Sequence, residues 1–381
     1  MKRFTAILLS LCTAVALSAC TPSGPSAQDP DAEIAALELS NPDHVARLGR
    51  TVFDEAEGML YFNYTASGFE VRFRGSRLEI DLFATEFASD INRPVVTLMV
   101  DGQSPEEGSI WAPMEEVRTI EVEDLDPERI HTVRVQKRSE AAMSKTALKA
   151  LRTDGTFIRA GKPAERLIEV YGDSVTCGYG NRAATASEGF STLTEDGLAT
   201  YAAIAASRTG AELSVLAASG WAIHQNVWAN PRTIPDLLPY ADFYSEKLWE
   251  GRSPDVVVIA GGANDNTWIQ QASGEEKKAR AAEFRNKYAQ FIGDLRERYP
   301  GVRIICCYGM MGEAGSMYEN IGLAMEQAGM DEDLSILELP ALNSVDGIGA
   351  GHPSAATHAR AAELLEARIR EMTGWNDSFL E

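Results

Sequence analysis

A serine at a strand end, a histidine in a loop, and two hydrogen-bond donors between them are the residues through which this 381-residue chain could do chemistry. The serine is Ser174, in Gly172-Asp173-Ser174, directly after the apolar run Leu167–Tyr171. An apolar run closed by glycine reads as a central strand of a parallel sheet. Open α/β sheets bind their ligands just beyond the carboxyl ends of such strands. Ser174 is therefore a candidate nucleophile, although Asp-Ser is equally a common helix cap. Acyl transfer by serine needs a base holding the hydroxyl and donors where the oxyanion forms. His352 lies in Gly351-His352-Pro353, just ahead of the last helix. Pro353 suits a helix's first turn and leaves the histidine outside it, where it could serve as the base. Gly220 offers a backbone N–H with no side chain to block approach, and Asn264 offers a side-chain amide.

The elements that must position these residues follow from periodicity. The second half of the chain alternates strands (Leu167–Tyr171, Leu213–Ala217, Val256–Ala260, Val302–Cys307, Leu334–Leu339) with helices. Over 275–299, Phe284, Tyr288, Phe291, Ile292 and Leu295 share one helical face. Over 354–373, His358, Ala362, Leu365, Ile369 and Met372 do the same. Strand–helix alternation with buried strands predicts a five-stranded parallel sheet covered on both faces. The polar or glycine-rich residues after its strands must then converge on one edge. From about Ala46 to Phe157 the pattern is different. Segments such as Phe69-Glu70-Val71-Arg72-Phe73 and Leu78-Glu79-Ile80-Asp81-Leu82 alternate apolar and charged residues between Gly and Asp turns, which predicts a β-sandwich.

Ser174, Gly220, Asn264 (in Gly262-Ala263-Asn264-Asp265) and His352, in this order, resemble the four blocks of the SGNH branch of the GDSL hydrolases. Gly-Asp-Ser-Val-Thr-Cys-Gly-Tyr-Gly-Asn is similar to carbohydrate esterase family 2, in which a jelly-roll-like β domain precedes an α/β/α sandwich. The resemblance covers nearly the whole chain after its leader. It implies removal of O-acetyl groups from carbohydrates without metal or cofactor. Ser174 would be the nucleophile and His352 the base, with Ser174 N–H, Gly220 N–H and the Asn264 amide as the oxyanion hole. Most SGNH enzymes carry an Asp three residues before the histidine, and here that position is Gly349. The resemblance therefore implies a Ser-His dyad oriented by a backbone carbonyl, with Asp346 as the nearest alternative. Other readings remain on the same scaffold: a general short-chain esterase, a lipase, a thioesterase, or a non-catalytic carbohydrate-binding lipoprotein.

Trp221 and Trp268 flank the donor blocks. Their faces suit a pyranose ring, or ordinary packing. His358 reads as a core histidine, and Cys306 and Cys307 as strand packing. The cysteines show no metal-ligand spacing.

A net charge of −21 argues against nucleic acid as a partner, because phosphate binding needs clustered Lys and Arg. Residues 1–19 combine Lys2-Arg3 with a short apolar run that is too short to span a bilayer. The ending Leu17-Ser18-Ala19-Cys20 resembles a bacterial lipobox. It implies export, lipidation of Cys20 and anchoring by lipid alone, with Thr21 leaning towards the outer membrane of a Gram-negative cell. The expected organisation is a signal over 1–19, a lipid anchor and tether over 20–45, a β-sandwich over 46–158 and the hydrolase domain over 159–381.

Overall fold

Alternation in the first third of the chain yields two antiparallel sheets that bury one face each. The computed structural model describes residues 29–376 apart from 86, 228, 229 and 313. The leader and Cys20 lie outside the described residues. The β strands are β1 (Ala46–Leu48), β2 (Val52–Asp54), β3 (Met59–Tyr61), β4 (Gly68–Arg74), β5 (Leu78–Thr85), β6 (Val96–Val100), β7 (Ser109–Trp111), β8 (Val117–Val122), β9 (Ile130–Lys137), β10 (Lys145–Thr153) and β11 (Thr156–Ile158). One sheet runs β1-β4-β9-β6-β7, with β11 also on β4, and the other runs β2-β3-β10-β5-β8. Burial alternates along β4 and β5, as a two-residue period requires. Phe69, Val71 and Phe73 meet Leu78, Ile80 and Leu82 in the shared core, while Arg152 of β10 spans Glu79 and Asp81 on the outer face.

Residues 29–45 are not the free tether that their Pro- and Asp-containing composition suggests. Ile34 N–H donates to Phe157 O and Arg159 N–H to Ala32 O, Arg72 pairs with Asp31, and Leu37 and Leu39 pack on the sandwich core. Two leucines and an exposed strand edge hold down a segment of low overall hydrophobicity.

The second half contains β12 (Arg166–Gly172), α1 (Ser174–Cys177), α2 (Tyr201–Arg208), β13 (Ala211–Ala217), β14 (Val256–Ala260), α3 (Ala263–Gln270), α4 (Gly274–Arg298), β15 (Arg303–Tyr308), α5 (Ala314–Ala328), β16 (Leu334–Glu338), β17 (Ile348–Gly349), β18 (His352–Pro353) and α6 (Ala355–Thr373). Strands β12 to β16 form one parallel sheet in the order β13-β12-β14-β15-β16. Apolar stripes of α4 and α5 cover one face, and those of α2 and α6 cover the other. Chain order reverses around β12: the chain first steps out to β13 and then returns past β12 to β14. Open α/β sheets bind ligands at such a switch point, and Ser174, Gly220 and Asn264 follow the three strands that make it.

Two buried cations tie the sandwich to the parallel sheet. Arg50, between β1 and β2, donates to both oxygens of Glu169 on β12 at 3.0 and 2.8 Å. It also donates to the hydroxyls of Tyr171 and Tyr299 and to the carbonyls of Leu238 and Tyr240. Lys137, at the end of β9, gives its three N–H groups to the carbonyls of Asn63, Glu140 and Ser144. That arrangement folds residues 138–144 into a knuckle, and the knuckle enters the parallel-sheet domain.

Candidate active site

Ser174 is the first residue of α1. Asp173 precedes it as the cap, accepting Val175 N–H at 3.1 Å. Burial, reinforced by the charge of Asp265, pushes the Asp173 carboxyl up to about 7. Ser174 is thus held where a strand becomes a helix, and its hydroxyl donates to His352 Nε2 at 2.9 Å.

The other ring nitrogen, Nδ1, faces the carbonyl oxygen of Ala350 at 3.3 Å. A carbonyl can only accept, so Nδ1 carries the proton and Nε2 keeps its lone pair for Ser174. A hairpin places that carbonyl. Gly349 pairs with His352, and the two residues between them have φ of 51° (Ala350) and 74° (Gly351). Positive φ at both positions is the type I′ turn. Ala350 N–H donates to Thr185 O and Ala355 N–H to Asn181 O, which docks the hairpin on the loop after α1. The imidazole lies on the ring of Tyr179, 4.3 Å between centroids, and Tyr179 stacks in turn on Phe190 at 4.2 Å. Burial holds the His352 pKa below the usual histidine value, partly opposed by the Ala350 carbonyl. The base is therefore neutral at neutral pH.

Asp346 does not orient His352. Its carboxylate accepts from Asn343 Nδ2 at 2.8 Å and pairs with Arg360 of α6. Its own carbonyl accepts from the Ser354 hydroxyl. The hairpin consumes the residues between Asp346 and His352, and the Asp346 side chain is left beside α6.

The candidate donors follow β13 and β14. Gly220 has φ of 76°, a conformation that glycine adopts without strain. Asn264 Nδ2 donates to Trp221 O at 2.7 Å. The amide has two N–H groups, so this bond orients the side chain and leaves a second donor. The loop carrying Gly220 is anchored almost residue by residue. Glu140 accepts Ser219 N–H and Oγ–H at 2.7 and 2.5 Å. Asn226 accepts Ala222 N–H. Asp265 accepts the N–H groups of Ile223, His224 and Gln225 at 2.9, 2.9 and 3.1 Å. Nothing in this loop must reorganise when charge develops, which is what an oxyanion hole requires.

A serine hydroxyl on the lone-pair nitrogen of a neutral histidine is an arrangement suited to acyl transfer, and the family comparison agrees with it. Residues 170–360 match the model of the GDSL-like lipase/acylhydrolase family. The chain belongs to that family. Residues 47–160 match the carbohydrate esterase 2 N-terminal model, so the acylhydrolase domain follows a β domain of that type. Over 343 residues the chain is 29% identical to the cellulase/esterase CelE of Acetivibrio thermocellus, covering 86% of this chain and 41% of that protein. It therefore spans less than half of that relative. It is 26% identical to an acetylxylan esterase / glucomannan deacetylase of Cellvibrio japonicus, covering 82% of this chain and 86% of that one. A family two carbohydrate esterase from Clostridium thermocellum, solved in complex with cellohexaose, superposes with a TM-score of 0.77 at 26% identity. That match covers 87% of this chain and 100% of that one.

In this acylhydrolase the two tryptophans differ. Trp221 is 5% exposed and packs against Phe243 at 5.2 Å and under the Arg232 guanidinium. It is core and cannot receive a sugar, because the loop that follows β13 turns its ring inward. Trp268 is half-buried on α3, four residues and one turn beyond Asn264. It lies against His224 and Arg280. His358 is buried and accepts Tyr201 N–H on Nδ1. Cys177, Cys306 and Cys307 are buried free thiols.

The reading of the sequence missed Tyr179, Asp265 and Glu140. The first two stand inside the quoted motifs, Tyr179 five residues after Ser174 and Asp265 next to Asn264. Their position beside the blocks was the available signal. Glu140 lies in the β-rich region and carried none.

Proposed function

We propose that the protein is a serine esterase that removes O-acetyl groups from carbohydrates through a Ser174–His352 dyad. The observation that carries this is the 2.9 Å contact of Ser174 Oγ with Nε2, together with Nδ1 on the Ala350 carbonyl. Ser174 Oγ attacks the acetyl carbonyl carbon while Nε2 takes its proton. The oxyanion is held by the N–H groups of Ser174 and Gly220 and the amide of Asn264. The imidazolium then protonates the departing sugar oxygen and leaves an acetyl ester on Ser174. Water, deprotonated by the same Nε2, releases acetate. Among the described residues no carboxylate contacts the His352 ring. The Ala350 carbonyl and the face of Tyr179 steady the imidazolium, the latter as a cation–π contact.

The carbohydrate class rests on the relatives, which are carbohydrate esterases, and on the matched N-terminal domain. The half-buried Trp268 at the rim supplies an apolar face for a sugar ring. The expected lipid on Cys20 would place the enzyme on an exported membrane face. Hydrolysis by protein lacking residues 1–20 tests the reading: acetate release from acetylated xylan, acetylated glucomannan and an aryl acetate, against fatty-acid release from a long-chain aryl ester. Turnover of the acetylated glycans above the long-chain ester is expected. The reverse preference would make this a general lipase or esterase.

A further inference from the structure

The knuckle at 138–144 brings two buried carboxyls together outside the dyad. Glu140 and Glu195 are both 0% exposed. Glu140 N–H donates to Glu195 Oε2 at 2.9 Å, and burial raises the pKa of both carboxyls. Lys137 lies close enough for its charge to act on both, and burial pulls its ammonium down to about 7. The Cys177 thiol completes the cluster, its ligand atom lying within 4.8 Å of theirs. Burial raises its pKa, which keeps it a thiol. Glu140 is the member of the cluster that faces Ser219.

We infer that Glu140, a residue of the β-sandwich, is a positioning residue for the oxyanion hole: its carboxylate fixes Ser219 and so aims Gly220 N–H. This rests on the esterase reading above. Its geometric basis is independent of that reading: both carboxylate oxygens are committed to Ser219, one to N–H and one to Oγ–H. Ser219 is the residue before Gly220. A neutral amide at 140 cannot accept both bonds, because one of its two atoms is a donor. A neutral amide at 195 keeps an oxygen to accept Glu140 N–H and leaves the Glu140 carboxylate in place. The two isosteric changes therefore separate a specific role from general packing.

The test compares Glu140→Gln and Glu195→Gln with wild type in steady-state kinetics on an aryl acetate. It also follows amide hydrogen exchange, by mass spectrometry, of peptides covering 213–227. The Glu140→Gln variant is expected to lose kcat about tenfold to a hundredfold with KM changed less than about twofold, and to exchange faster at 218–227 than elsewhere. The Glu195→Gln variant is expected to keep kcat within about threefold and its exchange pattern unchanged. Wild-type kcat in Glu140→Gln, or equal losses in the two variants, overturns the inference. The exchange measurement decides the question even if wild type turns over no acetyl ester, an outcome that would count against the esterase reading instead. Unchanged exchange at 218–227 in Glu140→Gln then overturns the inference by itself.

Discussion

A Cβ added at Gly349 would lie 2.1 Å from the carbonyl oxygen of Gly180. The position that carries an aspartate in most enzymes of this kind is here pressed backbone to backbone against the nucleophile loop. The contact explains the missing carboxylate: the hairpin that holds His352 docks through the space a side chain would fill. Restoring the family residue should therefore harm the enzyme. Gly349→Asp is expected to lose at least about tenfold in kcat and about 1–3 kcal/mol of stability, from overpacking. Kinetics and thermal unfolding on one preparation check both. A gain in kcat would mean that the hairpin yields and accepts a triad.

The donors permit a separate check. Asn264→Ala removes the proposed oxyanion donor and the bond to Trp221 O, and should cost about a hundred- to a thousandfold in kcat with little change in KM. Asp265→Asn keeps the shape but puts an amide against three N–H groups. It should cost about 1.5–3 kcal/mol of stability, read by denaturant unfolding, as loss of charge-assisted bonds does.

Arg50 and Glu169 are both fully buried, 0% and 1% exposed in their side chains. Arg50→Ala would strand the carboxylate of Glu169 between the two domains and is expected to cost about 3–5 kcal/mol. Denaturant melts should lose cooperativity, with the sandwich and the hydrolase domain separating into two transitions. A single transition at the wild-type midpoint would show that the domains are joined by other contacts.

The pH profile follows from burial. His352 is held below the ordinary value of 6.5 and must be neutral to act as the base. The acidic limb of kcat/KM should therefore have its midpoint below pH 6.5. His358 is pushed down to about 3 by burial, with the charge of His352 adding to it. Between about 3 and the unfolded value of about 6.5 the unfolded chain binds more protons, so stability is lost as pH falls through that window. Chemical denaturation at a series of pH values should show this slope, and His358→Gln should reduce it.

The sequence revealed the parallel sheet because its strands are buried on both faces and read as plain apolar runs, and it revealed Ser174, Gly220, Asn264 and His352 as blocks following those strands. What it did not reveal depends on partners far away in the chain. Asp346 was the alternative to a backbone carbonyl because it is near in sequence; a two-residue turn supplies that carbonyl and Arg360 takes the carboxylate. Trp221 could have faced a sugar or the core, and Phe243 and Arg232 bury it. Nothing in the sequence marked Glu140 or Arg50. Only the docking of the β domain on the hydrolase sheet makes them interior groups.

The most direct test of the dyad is acetate release from an aryl acetate by wild type, Ser174→Ala, His352→Ala and Asp346→Ala under identical conditions. The account predicts release by wild type, near-complete loss in the first two variants, and activity within about threefold of wild type in the third, because the Asp346 pair with Arg360 is a partly exposed ion pair of small worth. Loss in Asp346→Ala equal to that in His352→Ala, with the protein folded, would contradict it and make the site a triad.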